Sequence, residues 1–439
     1  MLAWLRTLSR RQQLTLAIGL LVAAIHIGFT ANQRTKRQGD FDVHREFGRR
    51  FLASESLYHD GLCFNYMPTS AMYYAPLALV PPAVGTVLRA IVAIACLGLT
   101  LRWLSEMVKP FCRQESWNAF TIGAWSVVLG AHYIARDLDD GGPHLILLAM
   151  LVGGIYAAWK GRQALASIWF GLAIVLKMTP GLFLPFFIWK RKWRLAAYTT
   201  LATAAWTIAP AVWLGPANWF AQQQQWNALA LDVFTGRMDA ARNENELRVQ
   251  NQALKPAILR WLVAYPPTHP LKLDHPADVA LLNLDPQLAG RIALGLMLTL
   301  MVGCAWWSRK PLAGAEAPAW LVETSAVLIA IPLFSPVTWL QHVVFVVPAL
   351  YLLVAHDRAV QPLSKGAKTL MWLYVVLSLV LTRELVGKNN YLVLLSYHTH
   401  TICMLLLLGL LMSVRPTLRR FESDAVFNDT PHLERRRAA

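Results

Sequence analysis

Three groups of polar residues in this chain have types and spacings suited to chemistry. Asp40, Asp42 and His44 lie within five residues of one another. A carboxylate of this kind can accept the proton of an attacking hydroxyl as a general base. Lys177, Arg136 and His342 can supply the complementary function, stabilising negative charge as it develops on a leaving group. Asn251 and Gln252 form a third, neutral pair of donors and acceptors. Each residue also has a plain reading. An aspartate in a polar stretch is solvated, a lysine at a turn extends its stem over apolar surface, and a histidine opening a helix bonds a loop carbonyl. The five cysteines lack metal-ligand spacing and imply no disulfide framework. His398 and His400 are two apart, which is not a helical ligand spacing. No metal and no cofactor is expected.

The elements that must position these residues are membrane helices. The chain has 439 residues, 56% hydrophobic and 15% charged, where a soluble domain carries about 25% charged residues. The apolar residues come in long runs, including 13–31, 83–101, 143–159, 195–214, 289–307, 318–334, 340–355, 368–382 and 401–413. Roughly 20 such residues span the hydrocarbon, and alternation at period two, the mark of a membrane barrel, is absent. An all-α polytopic membrane protein follows. The net charge of +16 does not indicate nucleic acid. Lys and Arg sit in short clusters between apolar runs, where topology signals belong, with no basic stripe interleaved with aromatics.

Those clusters set an orientation. Arg102, Lys109 and Arg113, then Lys160 and Arg162, Lys190 to Arg194, Arg309 and Lys310, Arg358 to Lys368, and Arg415 to Arg420 each follow an apolar run. Placing all of them in the cytoplasm requires residues 164–189 to cross twice. Pro180 disfavours helix at Thr179 and Gly181 permits a turn, so a helical hairpin with Lys177 at its apex is expected. The count becomes about 12 crossings, with both termini cytoplasmic. Residues 1–413 form one transmembrane domain, with outer loops 32–82 and 215–288, and 414–439 make a disordered cytoplasmic tail. The apolar stretch Thr69 to Pro82, broken by three prolines, is too short to span and reads as an interfacial or re-entrant helix. Trp213, Trp219 and Trp226 read as interfacial anchors ahead of sugar stacking. The candidate chemical residues fall together on the outer face.

Five spaced motifs carry a resemblance. They are Asp40-Phe41-Asp42-Val43-His44 with Leu57-Tyr58; Phe64-Asn65-Tyr66-Met67-Pro68 with Ala75-Pro76-Leu77; Gly171-Leu172-Ala173 through Leu176-Lys177-Met178-Thr179-Pro180 to Trp189-Lys190-Arg191; Asn251-Gln252-Ala253-Leu254 with Leu259-Arg260; and Ser335-Pro336-Val337-Thr338-Trp339-Leu340-Gln341-His342. In this order and on this topology the chain resembles glycosyltransferase family 87, a polyprenyl-phosphate-sugar-dependent group with the GT-C membrane fold. The resemblance implies an inverting hexosyltransferase, with mannose favoured by family association, independent of metal and nucleotide sugar. It implies Asp40 as the catalytic base and His342 at the donor's phosphate or sugar. Asp42, Tyr58, Lys177, Asn251, Gln252 and Arg260 are the other expected substrate-binding residues. The implied partners are a polyprenyl-phosphate sugar donor, a lipid or glycan acceptor and the bilayer, in a cell membrane with the site on its outer face. The segment Asp139-Asp140-Gly141-Gly142-Pro143-His144 departs from the family's usual signal before the fourth span, which puts a specific role for that loop in doubt.

Two other readings compete. A transporter or flippase of lipid-linked sugars could share the span count, but transporters pair broken helices in two related halves, and 164–189 has no counterpart in the second half. A structural assembly protein would leave the Asp40 and His342 motifs without a purpose.

Overall fold

The computed structural model describes residues 8–34, 40–58, 66–235, 248–265, 277–312 and 318–437; the side chains of Arg34, Asp40, 232–235 and 419–437 lie outside the description. The described residues form helices and turns, with no strand among them. In chain order the helices are α1 (Arg10–Arg34), α2 (Asp40–Leu52), α3 (Pro68–Ala78), α4 (Pro82–Val108), α5 (Ala119–Leu129), α6 (Ala131–Asp140) and α7 (His144–Trp159). There follow α8 (Gln163–Leu176), α9 (Phe183–Trp189), α10 (Trp193–Ile208), α11 (Ala211–Leu214), α12 (Pro216–Thr235) and α13 (Leu254–Leu262). The last are α14 (Pro286–Trp307), α15 (Pro318–Phe334), α16 (Val347–Ala355), α17 (Lys365–Val375), α18 (Arg383–Val386), α19 (Lys388–Ser396) and α20 (Thr399–Arg437). A tight turn over Leu340–Val346 leads into α16.

Six helical stretches among the described residues are long and apolar enough to cross a membrane: Arg10–Gln33, Pro82–Phe111, Trp193–Leu214, Pro286–Trp307, Leu340–Val360 and Thr399–Leu418. The pair α6 and α7, bent by 120°, makes a seventh if it counts as one span. The other apolar segments fold as short helices of 10–17 residues, namely α5, α8, Thr179–Trp189 and α15. The sequence count of about 12 crossings includes all of these short helices. The Leu340–Val360 stretch is almost wholly buried at the centre of the bundle, whereas α1 and α14 turn most of their apolar surface outward. Leu294, Leu298, Val302 and Trp306 on α14 are exposed, as lipid-facing side chains are. The helix α20 continues through the polar tail to Arg437.

The chain reverses after α8. Phe170 lies with its ring centroid 5.0 Å from that of Phe187, although 17 residues of continuous helix would separate them by about 25 Å. The break is at Lys177, whose backbone is extended, with Pro180 in the next turn. Returning, α9 packs Phe186 and Phe187 against Trp320 of α15. Gly171 lets α8 and α10 touch, since a Cβ there would stand 2.8 Å from the backbone of Ala202. One end of the hairpin therefore carries Lys177 and the other Lys190.

The Lys190 end gathers the basic segments. Lys190 and Arg415, which belong by sequence to loop clusters, are buried. Lys190 Nζ lies 2.8 Å from Glu323 Oε2 and donates to the carbonyls of Ser308 and Lys310 at 2.6 Å each. Arg415 pairs with the other Glu323 oxygen and donates to the Trp307 carbonyl. The N–H of Arg113 bonds the Ala359 carbonyl at 2.7 Å. One carboxylate thus ties α9, α14, α15 and α20 together. Removing it leaves two buried cations unpaired, at a cost of about 3–5 kcal/mol. Glu323→Gln, which keeps the shape but removes the charge, should therefore lower the thermal midpoint of the detergent-solubilised protein well below that of the parent; a midpoint equal to the parent's would mean that the charge does not hold this end.

Candidate active site

The opposite end of the bundle collects a polar cluster from six separate elements. It starts from a residue buried in α4, Arg89. Its guanidinium donates to the carbonyls of Asp137 (2.8 Å) and Leu138 (3.1 Å), to that of Gly142, and lies 3.5 Å from Asp137 Oδ2. These carbonyls close the C-terminal end of α6, where helical carbonyls lack partners and attract cations. Gly141 follows at φ +79°, a left-handed turn that suits glycine. A Cβ on Gly141 would sit 2.5 Å from Phe41 Cβ, and one on Gly142 would sit 2.6 Å from the His144 ring. The turn therefore packs bare backbone against both α2 and His144.

His144 opens α7 inside this frame. Asp137 Oδ1 accepts both its backbone N–H (3.1 Å) and its ring Nδ1–H (3.0 Å). His144 Nε2 accepts from Lys177 Nζ at 3.1 Å. An ammonium has only donors, so Nε2 carries no proton and the ring is the neutral Nδ1–H tautomer. The His342 ring packs against His144 with centroids 4.4 Å apart. His342 Nδ1 accepts the Trp339 backbone N–H at 3.2 Å, which leaves the proton on Nε2.

His44 of α2 completes the cluster, stacked on Tyr74 of α3 at 4.7 Å and tilted to Tyr66 at 5.7 Å. Burial, with the charges of Lys177 and Arg89 nearby, pushes its imidazole down to about 4. Among the described side chains of the cluster the other ionisable groups are Arg89, Lys177 and Asp137, two basic against one acidic. Among the described residues, Lys177 makes one side-chain hydrogen bond, which leaves two ammonium donors for a ligand. The arrangement is a neutral-histidine cradle around a lysine, suited to an anion.

A family model, glycosyltransferase family 87, matches residues 64–336. The chain belongs to that family. It is a membrane glycosyltransferase of hexosyltransferase type. The matched span contains Lys177, Asn251, Gln252 and Arg260 and ends before His342; Asp40, Asp42 and Tyr58 precede it. Two relatives are polyprenol-phosphate-mannose-dependent alpha-(1-2)-phosphatidylinositol mannoside mannosyltransferases. The one from Mycolicibacterium smegmatis is 24% identical over 356 residues, covering 75% of this chain and 72% of the relative. The one from Mycobacterium tuberculosis is 25% identical over 370 residues, covering 75% and 74%. No solved structure matches.

Among the residues expected to serve this glycosyltransferase, the fold brings Lys177 and His342 together around His144. Asp40 begins α2, and its side chain lies outside the described residues. Its backbone stands one turn ahead of His44 and next to Phe41, which is buried. Asp42 is half-buried on the same turn. The Tyr58 hydroxyl donates to the Tyr66 carbonyl at 2.5 Å, bracing a ring that faces His44. Asn251 and Gln252 are fully buried and bond mainly to backbone groups. Arg260, on α13, donates to the Ala277 carbonyl at 3.4 Å. Arg136 is taken up by Asp139 (3.9 Å) and Asp140 (3.5 Å), and Asp139 also binds His26 of α1 at 2.9 Å.

Sequence reasoning passed over Arg89 and, while noting Asp137 and His144 among the polar residues between the third and fourth spans, gave neither a role. A signal existed for the first: Arg89 is a lone charge inside an apolar run, and such residues usually line a functional cavity. The 139–144 loop, which departs from the family's usual pattern, is the hinge that carries His144 into the cluster.

Two outcomes follow from this geometry. Gly142→Ala drives a methyl into the His144 ring, and displacement by about 1 Å can cost on the order of 100-fold in rate. The variant should lose transfer activity by about that factor while keeping its elution profile on size exclusion. His44 gives a pH effect. An unfolded chain's histidine titrates near 6.5, and the folded one is held down to about 4. As pH falls through this window the unfolded chain gains a proton that the folded protein refuses, so stability is lost. His44→Gln should lose less thermal stability than the parent between pH 6.5 and 4, measured as the midpoint at each pH.

Proposed function

We propose that this glycosyltransferase moves mannose from a polyprenyl-phosphate-mannose donor to a hydroxyl of a lipid or glycan acceptor, on the outer face of a cell membrane and with inversion. The observation that carries the reading is the buried Lys177, bonded to His144 with the His342 ring packed on that histidine, beside the first turn of α2. The donor and the mannose come from the relatives, whose names specify polyprenol-phosphate-mannose. The orientation rests on the basic end formed by Lys190, Arg415 and Arg113, which suits the cytoplasm and leaves the Lys177 end outside, with both termini cytoplasmic.

The chemistry needs three things of the protein. Asp40 takes the acceptor hydroxyl's proton as that oxygen bonds to the anomeric carbon. The bond from that carbon to the phosphate oxygen breaks, and its electron pair leaves with the polyprenyl phosphate. Lys177 and the Nε2–H of His342 meet the charge that accumulates there, in a setting where such contacts are worth far more than in water. Phe41, packed on Gly141, ties the α2 turn that carries Asp40 to the loop that carries His144.

The test uses membranes carrying the full chain and radiolabelled polyprenyl-phosphate-mannose. Asp40→Asn should lower label transfer by about 10²–10⁴-fold, the usual worth of a general base, without raising the KM for donor. Lys177→Met should mainly raise that KM. Full transfer by Asp40→Asn would overturn the assignment of the base. Label that crosses the membrane unchanged, with no new lipid product, would replace the reading with a flippase.

A further inference from the structure

The segment 249–253 of the outer loop runs into the bundle, and its hydrogen bonds converge on the backbone of residues 336–338. Asn251 Oδ1 accepts the backbone N–H of Thr338 (2.8 Å) and of Ala253 (3.2 Å), while Nδ2 donates to the Pro336 carbonyl (3.0 Å). The backbone N–H of Gln252 donates to the Thr338 carbonyl at 2.7 Å. The Thr338 hydroxyl donates to the Pro332 carbonyl at 2.6 Å. Every polar group of Thr338 is therefore held, most of them by Asn251 and Gln252.

A peptide unit is planar. The Thr338 carbonyl and the Trp339 N–H belong to the same plane and point in opposite directions. Holding the carbonyl on Gln252 thus aims the Trp339 N–H, and that N–H is the donor to His342 Nδ1. The partner of one imidazole nitrogen decides which nitrogen carries the proton. Gln252 is fixed in turn by Leu395, whose carbonyl accepts from its Nε2 (3.1 Å), by the His400 N–H, which donates to its Oε1 (3.3 Å), and by the Thr401 hydroxyl on its carbonyl (2.7 Å).

We infer that Asn251 is a positioning residue of the transferase. By holding the Pro336 carbonyl and the Thr338 N–H, in the two peptide groups just before the Thr338–Trp339 peptide, it sets the orientation of that peptide and so of His342, and keeps the ring proton on Nε2, where the donor's phosphate is met. This rests on the assignment of His342 to the donor made above, and it gives Asn251 a role through His342 in place of direct substrate contact.

A double-mutant cycle separates the two. kcat/KM for polyprenyl-phosphate-mannose is measured for the parent, Asn251→Ala, His342→Ala and the double variant, with Asn251→Asp carried through the same cycle. The aspartate keeps the shape and the acceptor oxygens but loses the donor to Pro336, which covers a fold too weakened by alanine. In the parent background the Asn251 variants should lose about 10- to 100-fold. In the His342→Ala background the same changes should cost less than about threefold, because residues acting as one unit are not additive. Full activity of His342→Ala would sink the assignment of His342 itself. An impaired His342→Ala, with the Asn251 effect undiminished beside it, would overturn the positioning role alone.

Discussion

A single buried arginine carries the geometry of this site. A guanidinium inside a membrane bundle is costly unless its donors are used, and Arg89 turns its two terminal nitrogens to carbonyls and a carboxylate drawn from residues 137–142. That requirement ends α6, folds the chain at Gly141 and Gly142, and starts α7 with His144 facing inward. The carboxylate neutralised by Arg89 is also the one that orders His144, so the histidine stays neutral and presents an unprotonated nitrogen to Lys177. Without Arg89, the buried Asp137 carboxylate would keep only the two bonds from His144.

The two ends of the bundle handle charge in opposite ways. At the Lys190 end one carboxylate, Glu323, is bracketed by two cations and several carbonyls, and the result is a closed knot. At the Lys177 end the lysine has a neutral imidazole as its partner, so its charge is left for something else. Short elements make this opening. The helices α2 and α3 cap the Lys177 end, where the Ser70 hydroxyl bonds the Leu176 carbonyl at 2.9 Å, the residue just before Lys177. The inserted 249–253 segment props the turn that carries His342. The lipid-facing helices α1 and α14 contribute no side chain to the cluster among those described.

Much of this was readable residue by residue. Pro180 and Gly181 marked the reversal at Lys177 because those residue types interrupt helices locally. The prolines in 69–82 predicted the short helix α3 for the same reason, and the basic clusters predicted which segments converge at the other end. The pairings Arg89 with Asp137 and Lys190 with Glu323 were not readable, since each joins residues far apart in the chain and hides a charge inside an apolar run. Asn251 and Gln252 stood out by type and motif, but their partners, Pro336, Thr338 and Leu395, lie about 85 to 145 residues away.

By itself, the sequence determined that the chain is helical, that it lives in a bilayer, where its helices break, and which transferase family its motifs resemble. Composition, proline placement and charge clustering act locally, so they survive without a structure. Only the tertiary structure decided which polar residues meet. That depends on helix packing, which brings α2, α6, α7 and the Leu340–Val346 turn to one end of the bundle. There Lys177 meets a histidine instead of a carboxylate.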